Sequence, residues 1–115
     1  MVSDKRLQVK FYRSANGREP VRDWLLSLSE ADRRIVGTDL KTVEYGWPLG
    51  MPLCRKLRDE IWEVRSNLSG KNNIARTLFC VKNNELVLLH GFIKKTQRTP
   101  KEDIDLAFDR LRELH

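Results

Sequence analysis

The sequence predicts an α+β domain, in which a small antiparallel sheet of about four strands carries two N-terminal helices and a C-terminal helix packed on one side. Three observations predict it. Leu7, Val9 and Phe11 alternate with polar neighbours, as in a half-buried strand. Apolar residues then recur twice at helical spacing before Pro48. From Ile61 onward the pattern returns to strands and closes on a last helical stripe, the segregated order of an α+β fold. With 115 residues, the chain can bury one modest core and not two, so one domain over residues 1–115 is expected.

Each element has its own justification. Asn16-Gly17 breaks the first strand, and Pro20 suits the first turn of a helix, where its missing N–H loses nothing. Val21, Trp24, Leu25 and Leu28 form that helix's buried stripe. Ser29 can cap a second helix running from about Glu30 to Tyr45, with Asp32 in the reciprocal position and Val36, Leu40 and Val43 facing inward. Gly37 within it destabilises by about 1 kcal/mol relative to alanine. Strands are expected over Ile61–Ser66, Ile74–Lys82 and Leu86–Lys94. Asn83-Asn84 reads as a tight hairpin turn, because asparagine tolerates positive φ. The piece CRKLRDE before Ile61 is either a further short strand or a loop. Thr99, Pro100 and Glu102 make a capping box ahead of the stripe Ile104, Ala107, Phe108 and Leu111.

Composition sets the broad class. Apolar residues at 40% and charged residues at 33% belong to folded globular chains rather than disordered ones. A formal charge of +6 favours polyanionic partners. No apolar run reaches the roughly 20 residues that span a bilayer, and the N-terminus has no hydrophobic secretion signal, so a cytoplasmic protein without a membrane partner is expected. Cys54 and Cys80 lack metal or redox spacing and read as buried reduced thiols. With only His90 and His115 beside them, no metal and no cofactor is expected.

The chemistry is concentrated in cations. Lys94, Lys95 and Arg98 gather just outside the N-terminus of the last helix, an end that is itself partly positive. They repel one another unless an anion is expected there. In IWEVRS, alternation puts Arg65 on a face with Ile61 and Glu63. In NIARTLFCV, Arg76 is a charge inside an apolar strand, either paired with Glu63 for structural reasons or converging with Arg65 and the lysines on a phosphate site. Crowded by cations, Lys94 or Lys95 can lose a proton near neutrality and serve as general base or acid, although a charge run is otherwise a solvated surface. No phosphate loop, nucleophile elbow or metal-binding carboxylate pair is present. His90 continues the alternating face of Leu86, Leu88 and Phe92, which assigns it to hydrogen bonding in the core or at its rim rather than to catalysis.

The segments REPVRDWLLSL, IWEVR, NIARTLF and LLHGFIKKTQRTPKEDIDLAFDRL carry a resemblance that extends over nearly the whole chain. It resembles the RelE/ParE superfamily of toxin–antitoxin toxins, most closely the HigB-like, phage-derived branch. The resemblance implies a RelE-like fold and a ribosome-dependent mRNA interferase, a metal-independent endoribonuclease in which the ribose 2′-hydroxyl attacks the adjacent phosphate. By motif position it implies phosphate-binding and transition-state-stabilising roles for Arg65 and Arg76, and Lys94 and Lys95 occupy the strand-end region where the relatives carry further basic catalytic residues. RNA contacts are expected from Lys56, reaching in from the preceding loop, and from Arg58, Thr96 and Arg98. It also implies a cognate antitoxin, a HigA-like helix-turn-helix protein, with the ribosome and mRNA as further partners. Glu63 stands near where RelE carries one of its lysines, Thr99-Pro100 stand where it has a tyrosine, and the histidines or acid of other HigB toxins have no motif match here, so the acid–base pair stays open. The rival reading is a ParE-like gyrase inhibitor that acts by binding alone, since a fold does not settle function. A third is a non-catalytic RNA-binding domain, for which exposed stacking aromatics are few.

Overall fold

The computed structural model describes residues 5–70, 73–94 and 98–114. The elements in order are β1 (Gln8–Phe11), α1 (Pro20–Ser27), α2 (Glu30–Gly46), β2 (Cys54–Arg58), β3 (Ile61–Asn67), β4 (Ile74–Lys82), β5 (Glu85–Lys94) and α3 (Lys101–Arg112). The described residues form a five-stranded sheet in the order β1-β5-β4-β3-β2. It is mixed rather than wholly antiparallel, and it has one strand more than expected. CRKLR is the added strand, joined to β3 through a tight reversal at Asp59, whose φ is +50°. β1 lies parallel to β5, because it reaches the sheet through the long helical connection and not through a hairpin. At Asn83-Asn84 the expected hairpin is present, with both φ angles positive and Lys82 paired to Glu85.

The helices do not share one side. α1 and α2 pack Val21, Val36, Leu40 and Val43 on a core that includes Val64, Phe79, Leu86 and Leu88. α3 packs Ala107 and Leu111 on a separate core made of Ile61, Leu78, Cys80, Val87 and Leu89. Neighbouring strand residues point to opposite faces, so these cores lie on the two sides of the sheet. The physical reason is visible in β4 and β5, which are apolar on both faces and therefore need cover on both. Phe79 is fully buried, with Trp47 edge-on to its ring at 5.6 Å. Cys54 and Cys80 are buried in different cores, and burial pushes each thiol up to about 11.

Helix ends follow hydrogen-bonding capacity. Ser29 caps α2 by accepting from the Asp32 N–H. The Asp32 carboxylate does not complete the box; it accepts instead from the Ser69 N–H and hydroxyl, tying α2 to the β3–β4 turn. Gly37 is accommodated on an open face of α2, where an added Cβ would meet nothing. The expected Thr99 cap on α3 is absent: Pro100 occupies the cap position without a side-chain bond, because the Thr99 hydroxyl is committed to Arg76 and Glu63.

A bulge in β5 corrects the expected face of His90. Leu78 pairs with His90 and Phe79 with Leu88, so Leu89 has no opposite number. Leu86 and Leu88 therefore face α1 and α2, whereas His90 and Phe92 face α3. The next residue, Gly91, lies against the Trp24 ring, which leaves no room for a Cβ.

Candidate functional site

Cross-strand pairing puts a set of cations on the face that α3 partly covers. Arg55 lies opposite Glu63, and Arg65 opposite Arg76. Residues directly opposed in this way share a face, with Cβ atoms about 5 Å apart. Arg76 is opposite Phe92 on its other side, and Lys94 stands two residues beyond Phe92 at the end of β5. Strand geometry thus joins Arg55, Arg65, Arg76 and Lys94 on one surface just beyond the first turn of α3. Like charges directly opposed are destabilising in a sheet, so the Arg65–Arg76 pair is not a packing solution.

The members differ in exposure. Arg76 and Glu63 are both 0% exposed, with Arg76 Nη1 3.9 Å from Glu63 Oε1. Nη1 donates to Thr99 Oγ1 at 3.2 Å, and the Thr99 hydroxyl donates to Glu63 Oε1. Burial lowers the Arg76 pKa, the Glu63 carboxylate opposes that effect, and Arg65 and Arg55 add to the lowering. Arg76 is therefore a fixed positive charge beneath the surface, and its link to Glu63 realises the structural alternative read from the sequence. Arg65 is half-buried, whereas Arg55, Lys94 and Arg98 are exposed. A groove of about 380 Å³ opens beside Arg65, lined also by Asp39, Pro52, Leu53 and Asn67. Its size is that of a small-ligand cleft.

Other expected site residues fall elsewhere. Lys56 pairs with Trp62, whose ring is edge-on to Trp47, and so points to the α1/α2 side away from the cations. Arg58 lies beside α3, 3.3 Å from Asp105 and with its guanidinium 4.7 Å from the Phe108 ring centroid, which is a helix-to-sheet tie. Lys95 and Thr96 lie outside the described residues. Arg55 was not anticipated. Reading CRKLR as a strand would have found it, since alternation sends Arg55 and Lys56 to opposite faces.

Near the cations, His90 Nε2 lies 2.7 Å from Asp103 Oδ1, and the His90 ring stacks on Phe92 with centroids 5.2 Å apart. Burial holds the His90 pKa below its ordinary 6.5, against the opposing effect of Asp103. The sequence reading of a hydrogen-bonded histidine at the core rim agrees with this bond. Among the described residues, no group of three or more His, Cys, Asp or Glu side chains could hold a metal ion.

Fold and site together define a small α+β domain with a cation-bearing sheet face next to its last helix. The chain belongs to the Gp49-like family: residues 23–112 match the family described as Phage derived protein Gp49-like (DUF891). That family lies within the RelE/ParE-like toxin superfamily, commonly comprises toxins of toxin–antitoxin systems and is associated with toxin endoribonucleases. It suggests an antitoxin as partner. No curated protein matches the chain. No helix among the described residues is long and apolar enough to cross a membrane.

Proposed function

We propose that the chain is the toxin of a type II toxin–antitoxin pair and acts as an mRNA interferase on the ribosome, in the manner of the HigB-like branch. The observation that carries this reading is the opposed pair Arg65 and Arg76, flanked by Arg55 and Lys94 on the same face. A phosphodiester in transit to a cyclic phosphate gathers negative charge on its non-bridging oxygens. Fixed cations stabilise that charge without a metal. Arg65 supplies a planar fork to the oxygens, Lys94 a mobile point charge, and Arg76 a positive potential from below. The cognate antitoxin, a helix-turn-helix protein in this reading, restrains the toxin by covering this basic face.

The gyrase-binding alternative has less support, because a binder acting without chemistry has no use for a half-buried arginine opposed to a fully buried one on a strand-lined face. Mapping of mRNA 5′ ends after expression, alongside a supercoiling assay, separates the two. Cleaved messages with supercoiling intact are expected. Arg65→Ala should lower cleavage on the order of 100-fold with the melting temperature little changed. Whole messages with lost supercoiling would refute the nuclease reading. Arg76→Ala is a poor test, since removing a fully buried partner of Glu63 perturbs folding as well.

A further inference from the structure

We propose that His90 is the general base that activates the ribose 2′-hydroxyl, with Asp103 as its positioning residue. The assignment rests on the ribonuclease reading above and names the proton acceptor that reading leaves open. The first observation is the bulge at Leu89. Were Leu89 paired in regular alternation, His90 would follow Leu86 and Leu88 to the α1/α2 face; with Leu89 bulged, the ring turns to the face of the cations. Bulges recur beside active sites because they re-aim a single side chain.

The second observation is position. Leu78 pairs with His90 and Arg76 with Phe92, so His90 and Arg76 are diagonal neighbours, their backbones about 7–8 Å apart. Phe92 stands between His90 and Lys94 on the same face, a half-buried ring on which a base can stack. A nucleotide stacked there has its phosphate toward the Arg65 and Lys94 end and its ribose toward His90.

The third observation concerns the tautomer. A proton on Nε2 donated to Asp103 Oδ1 leaves the imidazole lone pair on Nδ1. Nδ1 has no hydrogen-bond partner among the described residues, and the side chain keeps 15% exposure, so a substrate hydroxyl can reach it. The charged groups that face the ring are Asp103 and Arg110 from α3 and Arg76 from β4, with Lys94 further along β5. In the step itself, Nδ1 takes the 2′-hydroxyl proton while O2′ bonds to phosphorus. The P–O5′ bond breaks, its electron pair stays on the 5′-oxygen, and that oxygen takes a proton from solvent. The products are a 2′,3′-cyclic phosphate and a 5′-hydroxyl, and His90 returns its proton to solvent.

The test uses the purified full chain, a defined message free and on bacterial ribosomes, and single-turnover rates from about pH 5 to pH 8. Wild type should cleave with an acidic limb, its rate rising as His90 loses its proton. His90→Gln should slow cleavage about 100-fold or more and flatten that limb, with message binding unchanged. Asp103→Asn should keep the limb while moving its midpoint, an effect that a purely structural tie would not produce. Wild-type cleavage that is independent of pH over this range overturns the assignment whether or not the variants fold. So does His90→Gln cleavage at the wild-type rate. Absence of wild-type cleavage overturns the ribonuclease reading as well.

Discussion

Replacing Glu63 by alanine should expose how tightly the start of α3 is bound to the sheet. Glu63 and Arg76 are both wholly buried, with Thr99 between them and Arg55 and Arg65 on the same face. Without Glu63, the Arg76 charge stays in the interior with its compensating carboxylate gone and like charges around it. Removing one partner of a buried ion pair destabilises by about 3–5 kcal/mol, and the crowding of arginines argues for the upper end. For a domain of this length, that is a fall in melting temperature of roughly 15–20 °C. Urea denaturation followed by circular dichroism measures it, as a midpoint displaced by on the order of 2 M. The companion experiment is the double variant Glu63→Met with Arg76→Met, which puts apolar groups beside Ile61, Leu78 and Phe92 and should lie within about 2 kcal/mol of wild type. A loss under about 1 kcal/mol for Glu63→Ala would refute the reasoning. So would a double variant whose loss equals the sum of the single losses, since uncoupled groups add.

Two further outcomes follow from packing and proton linkage. Hydrogen bonds from the Ser69 N–H, and then from its hydroxyl, hold the Asp32 carboxyl below its ordinary 3.8. A depressed folded pKa gives stability that is present above the ordinary value and lost as pH falls through the folded one. Asp32→Asn should therefore melt lower than wild type at neutral pH, with the difference closing as pH falls through the lowered folded pKa; a difference independent of pH would count against the tie. Gly91→Ala should destabilise by about 1–3 kcal/mol, because the new methyl meets the Trp24 ring. Restoration of stability on shrinking Trp24 in that background is the check, and no rescue would mean that the close approach was misjudged.

Much of the fold was legible in the sequence where a local signal matched the tertiary outcome. The stripe Val36, Leu40 and Val43 is buried as its spacing required, and Asn83-Asn84 turns with the positive φ angles that asparagine permits. The errors came where distant groups outcompeted local ones. Thr99 had the sequence of a cap, but Arg76 and Glu63, remote in sequence, claimed its hydroxyl. His90 had the parity of Leu86 and Leu88 until one unpaired residue shifted it. The second face was foreshadowed by the unbroken apolar runs of β4 and β5, which are inconsistent with a sheet covered on one side only. At the candidate site, alternation correctly put Arg65, Glu63 and Ile61 together and Trp62 opposite them. It could not weigh Arg76 as substrate contact against buried partner, because burial depends on where the chain returns after Lys94.

The parallel pairing of β1 with β5 has a consequence for the birth of the molecule. Gln8 finds its neighbour in Glu85, so the strand synthesised first must wait for the strand synthesised last. Long-range pairings of this kind are slow and leave an edge uncovered meanwhile. A nascent chain carries Gln8–Phe11 without its strand partner through most of its translation, and a truncated product ending before Glu85 never gains one.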